Sequence, residues 1–347
     1  MPRSTAARIE DVRRLLDAAR KLVDERAALV PAIVESTGLS RQGVELALTK
    51  HLEVDATDED LERLVAWTVN AETVAVILSA NVFVGALRAI ALARAASEDV
   101  VVRPSRRDPA FTRALVEAAK DPALRLDEDF EVATCESGEI HVYGRDETIA
   151  EVRAKAAPNV RVRGHGSGMG VAWLSGTADV EKNAAALADD VVVFDQRGCL
   201  SPRIALVEGD AQRAEAFAEA LHSALERAET VVPRGLPPAE ERAAGGRYVA
   251  TMTYAAKVLV GGKHAIGIAP PGAPLVLPPP YRHVHVAACG SIEEAKTVLA
   301  PLEKGVVAVG SDDVRAAEKL APAWARLSLL GSMQRPPLDG PVDRRTT

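Results

Sequence analysis

The alternation of short apolar runs with helix-length segments between residues 73 and 163 constrains this chain more than any other feature. Thr73 to Leu78, Asp99 to Arg103 and Val160 to Arg163 read as strands. Between them Val82 to Ala96, Asp108 to Lys120 and Glu147 to Ala156 read as helices, with shorter strands expected at Glu131–Thr134 and Glu139–Val142. Strands that alternate with helices of this length mean a sheet covered on both faces. Elements in this order predict an α/β fold on a parallel sheet with helices on both sides. Ahead of it, Ile9, Val12, Leu15, Leu16, Ala19, Leu22 and Val23 recur at helical spacing in a helix expected over 7–30. Thr37-Gly38-Leu39-Ser40 ends it, Ser40 caps a helix running to His51, and Asp55 to Asp58 cap a third ending near Thr68.

After Gly164 the rhythm loosens. Val171–Leu174, Val191–Phe194 and Arg203–Val207 are strand-like, and Ala211–Ala228 is a strong helix. A loop rich in Pro, Gly and charge is expected over 232–246, extended segments at Leu275–Leu277 and His283–Ala287, a helix at Ile292–Leu302 and a strand at Val306–Gly310. The Pro- and Arg-rich tail from Pro336 is expected to cross a neighbouring surface.

Charge and composition exclude several function classes. A formal net charge of −7 gives no drive toward nucleic acid or an anionic membrane. With 3% aromatic residues there is little to stack bases on. No apolar run reaches the length of a membrane span, and the N-terminus has no apolar signal core, so a cytoplasmic location is expected. Cys135, Cys199 and Cys289 are too few for a disulfide framework and lack the spacing of structural zinc. His283 and His285 share one face of a strand, but no third ligand lies near them in sequence, so no metal site is expected.

The chemistry-bearing segment is Val191-Val192-Val193-Phe194-Asp195-Gln196-Arg197-Gly198-Cys199-Leu200-Ser201-Pro202-Arg203. It reads as a buried strand ending in a polar, Gly-containing turn that displays one thiol. Backbone N–H groups of such a turn can stabilise a thiolate and an oxyanion. Local sequence alone leaves a second reading open, an inert packed cysteine.

Asp-Gln-x-x-Cys-x-Ser-Pro resembles the nucleophile segment of the LuxC-type fatty acyl-CoA reductases, a branch of the aldehyde dehydrogenase superfamily. Further segments match in order over roughly residues 30 to 345. Ser79-Ala80-Asn81-Val82-Phe83 is similar to the superfamily's Asn turn, whose amide joins the oxyanion hole. Val100 to Pro109, with Arg103, Ser105 and Arg106, resembles the strand and loop that hold the adenosine ribose. Val142-Tyr143-Gly144-Arg145 resembles the Gly turn near the cofactor pyrophosphate, and Gly331 to Pro341 the family's C-terminal motif. The resemblance implies an aldehyde dehydrogenase-like fold: a Rossmann-type parallel-sheet cofactor domain and an α/β catalytic domain carrying the cysteine. The expected division is a helical segment over 1–70, an NADP(H)-binding domain over 71–170, a catalytic domain over 171–310 and a C-terminal segment over 311–347.

Two departures from the family pattern shape the expected activity. The usual Glu-Leu-Gly-Gly segment is missing, and Gly164-His165-Gly166-Ser167-Gly168 stands in its place. The Glu activates hydrolytic water, which acid formation needs and thioester chemistry does not. The resemblance therefore implies reduction of an acyl-CoA to an aldehyde, with His165 as the proton-transfer group, Cys199 as nucleophile and Asn81 as oxyanion donor. Arg106 stands where NAD-selective relatives often carry an acid. A guanidinium suits a ribose 2′-phosphate, so NADPH is the expected cofactor. Reduction of an acyl phosphate, oxidation of a free aldehyde on the same cysteine, and a non-catalytic subunit of a reductase complex are the alternatives. A homo-oligomer is expected, with room for an acyl-transferring or aldehyde-consuming partner.

Overall fold

The computed structural model describes residues 3–345. The chain forms two compact units: one contains residues up to 37, 44–167 and from 337 onward, the other 38–43 and 168–336.

The first unit opens with α1 (Thr5–Asp24), α2 (Arg26–Thr37), α3 (Arg41–Lys50, whose first residues belong to the second unit) and α4 (Asp58–Ala66). Ser4 caps α1 by accepting from the Ala7 N–H, and Thr57 with Asp60 forms a reciprocal capping box on α4. There follow β1 (Val74–Ile77), α5 (Gly85–Ala96), β2 (Val100–Arg103), α6 (Ala110–Ala119), β3 (Leu124–Leu126), β4 (Glu139–Tyr143), α7 (Asp146–Lys155) and β5 (Arg161–His165). The five strands are all parallel, in the order β3-β2-β1-β4-β5. That order puts the topological switch point between β1 and β4. Every residue of α5 from Ala86 to Ala96 is buried, Arg88 and Arg94 included, as a helix apolar nearly all round requires. The N-terminal helices dock through buried arginines: Arg8 donates to the carbonyls of Val65, Thr68 and Ala95, while Arg94 pairs with Asp11 and Asp121. These bonds satisfy carbonyls at the ends of α4 and α5 that have no helical partner.

The second unit contains β6 (Met169–Leu174), α8 (Val180–Val192), β7 (Pro202–Glu208), α9 (Ala211–Val231), α10 (Ala239–Ala255), β8 (Lys257–Val260), β9 (Ala265–Ile268), β10 (His283–Cys289), α11 (Ile292–Leu299), β11 (Val306–Ser311), α12 (Val314–Ala317) and β12 (Arg326–Leu329). Its sheet runs β12-β11-β6-β7-β10-β9-β8, parallel except for the β8–β9 hairpin. Val171, Trp173, Ile204, Leu206 and Val309 form its core against Ala295 and Leu299.

Several segments differ from their sequence reading. Val191 and Val192 end α8, and residues 193–196 form a single tight turn rather than a strand. A short valine run shows burial, and burial serves a helix as well as a strand. Glu131–Thr134 contains a one-turn helix at Val132–Thr134, and the strand pairing with β2 lies earlier, at Leu124–Leu126. The segment 232–246 is a loop only up to Pro238, which caps α10 with Glu240 and Glu241 in its first turn. Those acids favour a helix N-terminus, a signal hidden by the surrounding Gly and Pro. Leu275–Leu277 is irregular, and β8, β9 and β12 were not expected from sequence. Among the described residues no helix is long and apolar enough to cross a membrane.

Candidate active site

In the first unit the expected cofactor residues collect along one edge of the sheet. Asn81 follows β1, Arg103 to Arg106 follow β2, Gly144 and Arg145 follow β4, and His165 ends β5. The register aligns these strand ends, pairing Ile77 with Arg103 and Val142, and Tyr143 with His165. Ligands of open parallel sheets bind at this carboxyl edge, beside the switch point. Asn81 is exposed, and its amide has no hydrogen-bond partner among the described residues. Arg103 is half-buried and donates to the Phe130 carbonyl at 3.1 Å; burial and then nearby Arg106 push its guanidinium below the usual range. The Ser105 hydroxyl accepts from the Arg107 N–H and shapes the turn that leaves Arg106 exposed. Gly144 donates its N–H to the His165 carbonyl at 3.1 Å, and Arg145 takes the N-cap position of α7.

His165 lies on this edge, but its ring turns into the unit. Part of the residue is exposed, yet its Nδ1 is enclosed and unpartnered. The imidazole stacks on Tyr143 with centroids 4.4 Å apart and planes 11° from parallel. Burial, then the neighbouring His141, pushes its pKa down to about 3. Below it on the same face Glu139 binds His141 at 3.0 Å and Arg163 at 2.7 Å. Burial alone raises the Glu139 carboxyl, but the two partners outweigh it and hold it at about 2. These side chains, with Trp67 and Pro341, line a cavity of about 20 Å³, room for one water. The tail covers this face: Arg88 donates to the carbonyls of Pro337 and Gly340, Arg344 lies over Trp67, and Arg345 donates to the Ser167 carbonyl.

In the second unit Cys199 occupies the second position of the turn Gly198–Ser201, closed by the Ser201 N–H on the Gly198 carbonyl. It is partly exposed, whereas Cys135 and Cys289 are buried. Burial raises both other thiols, Cys289 to about 11, so Cys199 is the thiol with access to a reactant. The backbone leading to it is strained. Phe194, Asp195 and Gln196 have φ of 53°, 50° and 63°, and the neighbouring Tyr281 and Arg282 have 71° and 69°. Five of the six described non-glycine residues with positive φ thus meet here. Each costs roughly 1–2 kcal/mol relative to its right-handed form.

Buried polar clamps hold that strain. Arg282 is 1% exposed and Asp195 2%. The guanidinium donates to one Asp195 oxygen at 2.8 and 3.2 Å and to Glu229 at 2.7 Å. The other Asp195 oxygen accepts from the Gly235 N–H at 2.9 Å, and the Asp195 carbonyl accepts from the Tyr281 N–H at 3.0 Å. Gln196 uses both ends of its amide. Its Nε2 donates to the carbonyls of Pro202 and His283, at 2.7 Å each, and its Oε1 accepts from the His283 N–H at 2.9 Å. It therefore ties the turn to the start of β7 and of β10. Beneath the turn a Cβ on Gly168 would stand 3.3 Å from that of Cys199, and one on Gly170 only 2.3 Å from the Leu200 carbonyl oxygen. Glycine at both positions lets the cysteine segment lie directly on β6.

The C-terminal motif anchors to the same region. The Asp190 carboxylate, in the last turn of α8, accepts from the N–H groups of Gly331 and Met333 at 2.6 and 2.9 Å. His283 and His285 find partners among the segments packed on the sheet, His283 on the Pro280 carbonyl and His285 against Tyr248 and the Val276 N–H. Sequence reasoning missed Arg282. A Tyr-Arg-His triplet ahead of a strand carries no motif, and only the fold shows that its charge is buried opposite Asp195.

A nucleotide-type parallel sheet and a mixed sheet displaying one accessible thiol are the parts of an aldehyde dehydrogenase-like fold. The model of the acyl-CoA reductase (LuxC) family matches residues 39–336, and the chain belongs to that family. It is accordingly an oxidoreductase acting on aldehydes or acyl-CoA. No curated protein matches it. Among solved structures it is similar to an oxidoreductase from Marinobacter aquaeolei, with 14% identity and a TM-score of 0.74 over 97% of this chain and 80% of that one. A lactaldehyde dehydrogenase aligns at 17% identity and TM-score 0.70, covering 96% and 79% of the two chains. An NAD-dependent benzaldehyde dehydrogenase from Corynebacterium glutamicum aligns at 15% and 0.69, covering 96% and 83%. At these identities the likeness establishes the fold.

Proposed function

We propose that the protein reduces an acyl-CoA thioester to an aldehyde with NADPH, through a thioacyl intermediate on Cys199. The observation that carries this reading is the clamped, strained turn that exposes one thiol among three. The Cys199 thiolate attacks the acyl carbonyl, a new C–S bond forms, and the CoA thiolate leaves. A bound dihydronicotinamide supplies the hydride to the thioacyl carbon. Collapse of the resulting hemithioacetal releases the aldehyde and restores the thiolate. The balance is acyl-CoA, NADPH and one proton in, and aldehyde, CoA thiol and NADP⁺ out.

Cys199 is the nucleophile, and its own backbone N–H donates to the developing oxyanion; Asn81 keeps the oxyanion-donor role that the family resemblance implies. For the cofactor, Arg103 and Ser105 would hold the ribose, exposed Arg106 would pair with a 2′-phosphate, and Gly144 with Arg145 would serve the pyrophosphate. Their common edge fits a dinucleotide, because it is the carboxyl edge beside a switch point. We assign His165 a positioning role there. Its ring stacks on Tyr143 and its Nδ1 is enclosed, and burial also lowers its pKa, whereas a base works best near the working pH.

The test is mass spectrometry of the intact chain after incubation with acyl-CoA and no NADPH. One acyl adduct is expected, mapping to Cys199 and absent from Cys199→Ser. Adducts at Cys135 or Cys289 overturn the reading. Adduct formation from acyl phosphate but not from acyl-CoA reassigns the substrate.

A further inference from the structure

His222 and Glu226 lie four residues apart on α9, so both side chains leave the same helix face. His264, in the turn ahead of β9, faces them from the hairpin. One ligand atom from each of the three lies within 4.8 Å of the others. His264 Nε2 is hydrogen-bonded to His222 Nδ1 at 2.9 Å, and its other nitrogen, Nδ1, stands 3.7 Å from a Glu226 oxygen, so one of the two would turn to an ion and the histidine–histidine bond would open. The imidazole of His264 is buried, His222 is half-buried and the Glu226 carboxylate reaches solvent.

We propose that His222, Glu226 and His264 form a site for a single transition-metal ion of the zinc class. Two imidazoles and a carboxylate are borderline donors that suit Zn²⁺ over Mg²⁺ or Ca²⁺. Ligand atoms around a tetrahedral zinc stand about 3.3 Å apart, given bonds of about 2.0–2.1 Å. The separations here reach that value with side-chain movement of about 1.5 Å or less. Three protein ligands leave the fourth position to water.

The surroundings are built to keep the trio together. A Cβ on Gly261 would meet His264 at 2.2 Å and Glu226 at 2.3 Å, so glycine leaves room for both side chains. The Gly262 N–H donates to the same Glu226 oxygen at 3.2 Å and fixes the carboxylate toward the turn. The ion has a structural use. β8 is the outermost strand of its sheet, and Val260 at its end is 57% exposed. Lys257 ties the start of this hairpin to α9 through Glu215 and Glu219. A metal ion at His264 ties its turn to the same helix, holding an edge hairpin at both ends.

The test uses the untagged full chain, stripped with chelator and titrated with Zn²⁺ by calorimetry and native mass spectrometry. The variants are His222→Ala, Glu226→Gln and Cys199→Ser. One zinc per chain is expected in the wild type and in Cys199→Ser, with a rise in unfolding temperature on binding. His222→Ala and Glu226→Gln should weaken binding at least about tenfold and lose that rise, while both still unfold cooperatively without metal and Glu226→Gln does so near the wild-type midpoint. Both replaced side chains carry exposure, so the fold survives their loss. Absence of saturable binding, unchanged affinity in both variants, or loss of zinc in Cys199→Ser overturns the proposal.

Discussion

The two units hold their candidate residues by opposite means. In the first, Arg103, Gly144 and His165 sit where they do because regular parallel strands end there in register. No unusual backbone is needed, and exposed Asn81 and Arg106 stand on turns that strand ends supply. In the second, Cys199 follows three consecutive left-handed residues held by a buried ion pair and a three-bonded glutamine. Strain of this kind persists only where surrounding contacts over-determine it. A binding edge tolerates loop variation; a nucleophile must sit within a fraction of an ångström, and clamps provide that.

The largest effect expected is therefore from the clamp. Removing one partner of a buried pair leaves the other charged and unsolvated, at a cost of about 3–5 kcal/mol. Arg282→Ala should lower unfolding free energy by that amount in denaturant titration. The double variant Asp195→Ala/Arg282→Ala should lose less than the sum of the two single losses, because neither charge is stranded. Additive losses would mean that the two residues act independently and that no buried pair clamps the turn. Asn81→Ala is the counterpart on the other unit. It should leave stability unchanged, since the side chain is exposed, yet slow hydride-dependent turnover by about 100- to 1,000-fold. Turnover near the wild-type rate removes Asn81 from the oxyanion hole.

The same contrast explains what could be read in the sequence. The strands at Val74–Ile77 and Val100–Arg103 announce themselves by apolar runs, and the cofactor candidates, which rest on the family resemblance, fall at the ends of these strands and of β4. Around Cys199 local pattern misleads. Val191-Val192-Val193 reads as a strand, but the chain there is a helix end followed by a left-handed turn. That conformation is decided by partners far along the chain, Arg282 and His283, which no local period encodes. The cysteine motif survived because its chemistry, unlike its backbone, is local.

A middling effect tests the cofactor edge. Exposed Arg106 gains its partner only from the ligand, so its contribution is that of one charge-assisted contact, about 1.5–3 kcal/mol. NADPH is expected to bind more tightly than NADH, and Arg106→Glu should weaken NADPH about tenfold or more while NADH changes little. Equal affinities for the two in the wild type would place 2′-phosphate recognition elsewhere or remove it.

The smallest effect, and the sharpest for the comparison, concerns His165. If the regular edge positions this residue without asking it to transfer protons, replacing its ring by another flat ring should preserve function. His165→Phe keeps a surface to stack on Tyr143 and removes the titration. Acyl-enzyme formation should stay close to the wild-type rate in a single turnover, whereas a general acid–base would cost about 100-fold or more. Stability should respond to pH instead. Burial pushes the imidazole down to about 3, while the unfolded chain takes up the proton near 6.5. The unfolded state therefore binds more protons between those values, so this contribution is whole above 6.5 and is lost as pH falls toward 3. From pH 7.5 to 5 the wild type should lose about 2 kcal/mol on this account, at about 1.4 kcal/mol per unit below 6.5. His165→Phe should lose less by that amount in urea titrations at the two pH values. A wild-type pH slope in the variant means that the ring titrates in solvent. Its stack on Tyr143 then opens in solution, and proton transfer returns to His165.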